Sequence, residues 1–278
     1  MKALFDKVSA KSSKMVTSTY STSFSLGILL LNKSMKKHIY SIYGYVRFAD
    51  EIVDSFHDQD KEWLLDNFKK QTYDALERGI SLNPIINSFQ DTVREYDIST
   101  ELIDSFLHSM RMDINKQEYD AEKYEQYIYG SAEVVGLMCL KVFTSGNKEQ
   151  YEELKFGAQK LGSAFQKINF LRDLNADFNH LGRIYFPGVD MTEFNDTIKQ
   201  EIERDIEIDF KEGFKGILAL PKEARFGTYL AYVYYFNLFK KIKNTSAKRV
   251  LEERIRIPNR NKYGLLLSSY FKHSFNLL

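Results

Sequence analysis

The sequence predicts an all-α fold, a helical bundle forming a single domain over residues 1–278. Three observations predict it. Apolar residues recur at the 3.6-residue period along nearly the whole chain, while strand-like alternation is scarce. Only four prolines occur, at 84, 187, 221 and 258, each where a helix would start or stop. No composition shift, Pro/Ser-rich linker or internal repeat marks a second domain.

Helices are predicted over 12–20, 35–57, 60–79, 84–95, 99–113, 120–144, 148–178, 195–218, 221–243 and 259–274. Asp196 or Thr197 and Asn259 are the expected N-caps. Gly79 and Gly146 are the expected C-terminal stops.

Composition narrows the function classes. The formal net charge of +1, with acids and bases mixed throughout, gives no electrostatic case for a nucleic-acid partner. A single cysteine, Cys139, excludes internal disulfides and any multi-cysteine zinc site. It sits in the apolar run Val134–Phe143, where packing is the expected role. The opening MKALFDKVSAKSSK lacks the apolar core of a secretory signal. The run Phe24–Leu31 is far short of the roughly 20 residues a bilayer demands. A soluble, cytoplasmic protein is expected, with at most peripheral membrane contact. The five histidines show no HxxxH or HExxH spacing. GxGxxG, Walker and GxSxG motifs are absent, so no nicotinamide cofactor is expected.

Two stretches carry chemistry. In Ala158–Asp177, helical spacing stacks Gly162, Gln166, Asn169, Asp173 and Asp177 on one stripe, beside an apolar stripe of Leu161, Ala164, Phe165, Ile168 and Leu171. Such a polar stripe is expected to look inward. Two carboxylates one turn apart repel by about 0.2–0.5 kcal/mol even when exposed. Turned inward they need a partner, and a hard cation with carbonyl co-ligands is the simplest. In Ile39–Phe56 the same spacing aligns Tyr43, Arg47, Asp50 and Asp54 beside Ile42, Val46, Ala49 and Val53. Glu51 lies about 100° from Asp50 and is the lesser candidate ligand. A lone DxxxD is most often a surface pair. Two of them, with Arg, Gln and Asn companions, call for one explanation.

These motifs, Asp50-Glu-Ile-Val-Asp54 after Tyr43 and Arg47, and Gln166-x-x-Asn169-x-x-Arg172-Asp173-x-x-x-Asp177, resemble the two aspartate-rich motifs of the squalene/phytoene synthases. The resemblance runs from Ser21 to about Lys262 and is nearest to bacterial phytoene synthases. It implies an isoprenoid-synthase-type bundle around a central apolar cavity. It also implies a Mg²⁺-dependent prenyltransferase (Mn²⁺ as a substitute) joining two prenyl diphosphates head to head. Geranylgeranyl diphosphate would give phytoene, for carotenoid biosynthesis, through a cyclopropylcarbinyl diphosphate. Farnesyl diphosphate, giving squalene or dehydrosqualene, is the alternative. A non-catalytic assembly factor should have lost acids that this chain keeps, and a terpene cyclase should show only one strong motif.

The resemblance further implies metal ligation by Asp50, Asp54, Asn169, Asp173 and Asp177. Tyr43, Arg47 and Tyr129 join the four acids as candidate catalytic residues. Substrate contacts fall to Ser21, Ser23 and Phe24 of the STSF segment and to Gln166, Asn169, Arg172 and Tyr235. Arg183 of Gly-Arg-Ile-Tyr-Phe-Pro187, Arg254 and Lys262 complete that set. Two departures stand out: Tyr20, where relatives often carry His, and Glu133, where a small residue is usual. Forty aromatic rings would supply core and cavity wall, the latter steadying carbocations. Peripheral membrane contact would serve product release.

Overall fold

The structure, a computed structural model, describes residues 1–114, 119–177, 185–258, 264, 265 and 269. Among these residues there are helices, turns and loops but no strand. Helices α1 (Lys2–Tyr20) and α2 (Thr22–Leu29) meet at Ser21, whose Oγ caps α2 by accepting from Phe24 N–H at 3.2 Å. Helix α3 (Lys33–Asp54) starts at an Asn32 cap. Helix α4 (Lys61–Arg78) stops at Gly79, in the left-handed region at φ 71° as its sequence predicts. Pro84 opens α5 (Pro84–Tyr96), where its missing N–H costs nothing. There follow α6 (Thr100–Ile114), α7 (Ala121–Ile128), a π-helical turn at Tyr129–Glu133, and α8 (Val134–Phe143). The bundle continues with α9 (Lys148–Ala176), α10 (Asp196–Ala219), α11 (Lys222–Lys243) and α12 (Ala247–Glu252).

Several boundaries differ from expectation. Helix α1 begins ten residues earlier than periodicity predicts, because its first turns do not put apolar residues inward. The segment 22–29, which takes in most of the apolar run Phe24–Leu31, is helical, and α12 has too few residues to show a period. The cap of α10 is Asn195, one residue before the predicted Asp196, its Oδ1 accepting from Thr197 N–H at 2.9 Å. The predicted helix over 259–274 and its cap Asn259 fall almost wholly outside the described residues.

Two buried apolar clusters hold the bundle. One surrounds Tyr45, stacked on Phe89 with ring centroids 3.8 Å apart; the other surrounds Phe210 and Phe239. Helices α9 and α10 pack closely, because glycines remove the side chains between them: a Cβ on Gly157 would lie 2.8 Å from Gly216 Cα. A buried ionic cluster fixes their register. Lys167 Nζ lies 2.6 Å from Asp209 and 2.5 Å from Asp205, while Ser163 Oγ donates to Asp209 at 2.7 Å. No helix among the described residues is long and apolar enough to cross a membrane.

Candidate active site

Both aspartate pairs lie at helix C-termini. Asp50 and Asp54 occupy the last turn of α3; Asp173 lies in the last turn of α9 and Asp177 is its C-cap. There the backbone carbonyls already concentrate negative charge, which disfavours each carboxylate by about 0.3–1 kcal/mol. Four carboxylates at the unfavourable ends of two helices call for cations.

All four line one hollow of about 700 Å³. Its walls come from α1, α2, α3, α6, α7, the π-turn, α8, α9, α10 and α11. Away from the acids it is lined by Ile39, Ile42 and Val46 of α3 and by Leu154, Ala158, Leu161 and Phe165 of α9. The stripe reading of α9 thus holds in space: Gly162, Gln166, Asn169, Asp173 and Asp177 face the hollow, while Ala164, Ile168 and Leu171 are buried. From Asp173 back to Leu154, nineteen residues at 1.5 Å each, the lined path along α9 is about 28 Å.

The electrostatics are uneven. The Asp50 carboxyl is pushed up to about 7, first by burial and then by the charge of Asp54; Arg47 opposes this and Asp113 adds to it. About a third of the side chain (31%) is open to the hollow it lines. Arg47 pairs with Glu51, lies 4.0 Å from Asp50, and stacks its guanidinium 4.4 Å above the Tyr20 ring. Its Nε is buried and meets no acceptor among the described residues. Across the hollow, Asp173 accepts from Arg172 at 2.5 Å and pairs with Arg254 Nε at 2.6 Å. Burial, the largest single influence, lowers the Arg172 pKa, but the hydrogen bond and charge of Asp173 together with Tyr235 outweigh it and leave the value raised.

A chain of neutral polar groups sits beside the acids. Tyr235 donates to Asn169 Oδ1 at 3.3 Å, Asn169 Nδ2 to Gln166 at 3.2 Å, and Gln166 Nε2 to Ser131 at 3.3 Å. Tyr235 stacks on Phe165 at 4.0 Å, and Phe24 lies 5.6 Å from Tyr43 and 5.7 Å from Tyr235. Burial pushes the Tyr43 hydroxyl up to about 12, so it stays neutral. Asp50, Asp54, Asp173, Asp177 and Asn169 Oδ1 are the oxygen donors able to hold a hard cation here. Among the described residues, no three His, Cys, Asp or Glu side chains form a ready-made metal cluster.

Some expected residues stand elsewhere. Tyr129 is exposed and does not line the hollow, so its expected catalytic place is corrected. The π-turn puts Gly130 against α6, where a Cβ would lie 2.5 Å from Ser105 O, and turns Ser131 and Ala132 to the hollow. Ser23 does not line the hollow either, because α2 turns Phe24 and Gly27 inward instead. Ser21 does line it, but its Oγ also serves as a helix cap. Cys139, expected only to pack, contributes to the wall. Glu133 is half-buried and accepts from Gln159 at 2.9 Å. Arg183 and Lys262 lie outside the described residues.

Sequence reading missed Asp113. This buried carboxylate of α6 accepts from Tyr127 at 2.6 Å and from Tyr185 at 3.2 Å, and all three line the hollow. The signal was available: Asp113 falls in register with Leu102, Phe106 and Met110, on the core stripe of its helix.

Comparison with known proteins agrees with this geometry. A family model for squalene/phytoene synthase matches residues 17–261. A 4,4'-diapophytoene synthase of Staphylococcus haemolyticus is 30% identical over 194 residues, 67% of this chain and 65% of its own length. Phytoene synthase 1 of Zea mays is 26% identical over 252 residues, 81% of this chain and 59% of its length. The chain thus spans less than two thirds of these two curated relatives. Phytoene synthase of Arthrospira platensis is 25% identical over 275 residues, covering 90% of this chain and 88% of its own. In fold, the chain is similar to a crystallised dehydrosqualene synthase, with a TM-score of 0.82 at 22% identity over 97% of this chain and 98% of that one. Squalene synthase HpnC from Alicyclobacillus acidocaldarius gives 0.74 at 20% identity, covering 86% of this chain and 94% of its own. Paired carboxylates at two helix ends, an aliphatic hollow running back from them, and a family match across most of the sequence agree: the chain belongs to the squalene/phytoene synthase family.

Proposed function

We propose that this protein is a Mg²⁺-dependent prenyltransferase that condenses two geranylgeranyl diphosphates head to head to phytoene. The observation that carries the reading is the joining of four carboxylates to one long aliphatic hollow. That arrangement suits a substrate with a diphosphate head and a hydrocarbon tail. Bound magnesium would supply charge neutralisation for the departing diphosphate. Arg47, with its buried unpartnered Nε, and Arg254 are the cations placed to receive diphosphate oxygens. Ionisation of the donor gives an allylic cation, which the acceptor's double bond attacks to form a cyclopropylcarbinyl diphosphate. A second ionisation, rearrangement and proton loss complete the product. The rings of Phe24, Tyr43, Phe165 and Tyr235 offer π-faces to the cations, and the apolar lining keeps water from quenching them.

Chain length is supported by room and by relatives. An extended geranylgeranyl chain of sixteen main-chain carbons spans on the order of 20 Å for carbon–carbon bonds of about 1.5 Å. The lined path along α9 is longer than that. Relatives called phytoene synthase match 81–90% of the chain. A second reading, farnesyl diphosphate giving dehydrosqualene, is favoured by the 30% identity to the diapophytoene synthase. Incubating the purified protein with Mg²⁺ and each diphosphate separately, then identifying the hydrocarbon, tests both. Phytoene from geranylgeranyl diphosphate is expected; product from farnesyl diphosphate alone would establish the second reading instead.

A further inference from the structure

Helix α1 is built inside out. Its buried face is Ser9, Ser13, Val16 and Thr17. The hydroxyls on that face are satisfied within the protein: Ser13 and Ser88 share a hydrogen bond at 2.6 Å, Ser88 donates to Ser41 at 2.9 Å, and Asn87 donates to Ser9 at 3.1 Å. Gly44 of α3 makes room for this contact, since a Cβ there would lie 3.1 Å from Ser13. Apart from Val16, the larger aliphatic side chains point the other way. Leu4 is 68% exposed, Val8 48% and Met15 65%. At 100° per residue, Leu4, Val8 and Met15 fall within about 40° of one another, with Lys7, Lys11 and Lys14 exposed along one flank. The only acid of α1, Asp6, turns to the other side, held by Lys2 at 2.9 Å and Asn87 at 3.2 Å.

We infer that the outer face of α1 is a docking surface for an anionic lipid bilayer. An apolar stripe bordered by lysines, on a helix lying flat against its protein, has the pattern of an interfacial helix. Such a face sinks about 5–10 Å into the headgroup region, while lysine stems lie along it and their charges reach the phosphates. A second copy of the chain fits less well. A two-fold contact through this face would bring Lys7, Lys11 and Lys14 toward the same lysines of the other copy, with no carboxylate between them. The surface lies on the outside of α1 and does not depend on the proposed reaction.

The test is co-sedimentation of the full chain with vesicles of phosphatidylcholine alone and of phosphatidylcholine mixed with phosphatidylglycerol. Selective binding to the anionic vesicles, weakened by salt, is expected. Lys7→Gln with Lys11→Gln should weaken it on the order of 25-fold, at about fivefold per charge. Leu4→Gln/Val8→Gln/Met15→Gln should weaken it more than tenfold at unchanged charge, with an unaltered circular dichroism spectrum. Lys14 is left in place because it lies 5.9 Å from the Tyr40 ring. Failure to bind either vesicle, equal binding to both, or full binding by the Leu4/Val8/Met15 variant would overturn the inference. So would a dimer in sedimentation velocity that the same variant abolishes, since that would assign the stripe to a second copy.

Discussion

Gly162 is where the site and the packing of α9 meet, and Gly162→Ala measures how tightly they are coupled. A Cβ at this position would lie 2.7 Å from Ala132 O, 3.0 Å from Ala132 C and 3.2 Å from Glu133 Cα. These are backbone atoms of the π-turn, so no flexible side chain can swing aside. Two effects oppose each other. Alanine gains about 1 kcal/mol over glycine in a helix interior. Overpacking against fixed backbone costs about 1–3 kcal/mol. The contact distances favour the upper end, so a net loss of about 1–2 kcal/mol is expected. In urea this lowers the unfolding midpoint by roughly 0.5–1 M for a slope of about 2 kcal/mol/M. Pushing the π-turn from α9 should also stretch the Gln166–Ser131 hydrogen bond of 3.3 Å and lower turnover of prenyl diphosphate. A variant as stable as wild type, or more so, would show that the π-turn is not pinned against α9 and would refute the reasoning.

Asp50→Asn should stabilise the metal-free protein at high pH. The folded state holds the Asp50 proton up to about 7 against an ordinary 3.8, so stability falls as pH rises through that window and the loss is complete above it. The gap is worth at most about 4 kcal/mol, and solvent in the hollow reduces it to roughly 1–2. Thermal melts in chelator should therefore separate variant and wild type at pH 8 and superimpose them near pH 4; coincident curves at pH 8 would contradict the assignment. Lys167→Met should destabilise by about 3–5 kcal/mol, because Asp209 is 2% exposed and, among the described residues, would keep Lys160 and Ser163 as its partners; a denaturant midpoint within error of wild type would exclude this. Arg254→Gln should leave the melting temperature nearly unchanged, the arginine being half-exposed. Its effect should appear as a raised KM for prenyl diphosphate in steady-state assays.

Most of the fold was legible because helix boundaries are written locally. Pro84, Asp60, Asn83 and Gly79 set their helix ends by chemistry within one turn. Helix α1 was half invisible because its hydroxyl-lined inner face is recognised only by Ser41, Asn87 and Ser88, far along the chain. The acid pairs were legible because their spacing equals one helical turn. Their partners were not: that Arg254 would reach Asp173, eighty-one residues away, depends on the docking of the segment after α12. Tyr129 failed for a different reason. It was named from the resemblance of its segment, and the π-turn there points Ser131 and Ala132 rather than Tyr129 at the hollow.

Tyr129–Glu133 winds more widely than the helices on either side of it. Such a turn accommodates one more residue than a regular helix covering the same distance, so it works as a phase shifter between α7 and α8. Wound as regular α-helix, the same five residues would no longer absorb the extra one and would swivel all of α8 by about 100° relative to α7. Val135, Gly136, Cys139, Leu140 and Phe143 would then leave the cavity wall together. The wide winding of this short segment is what aims a whole helix at the hollow.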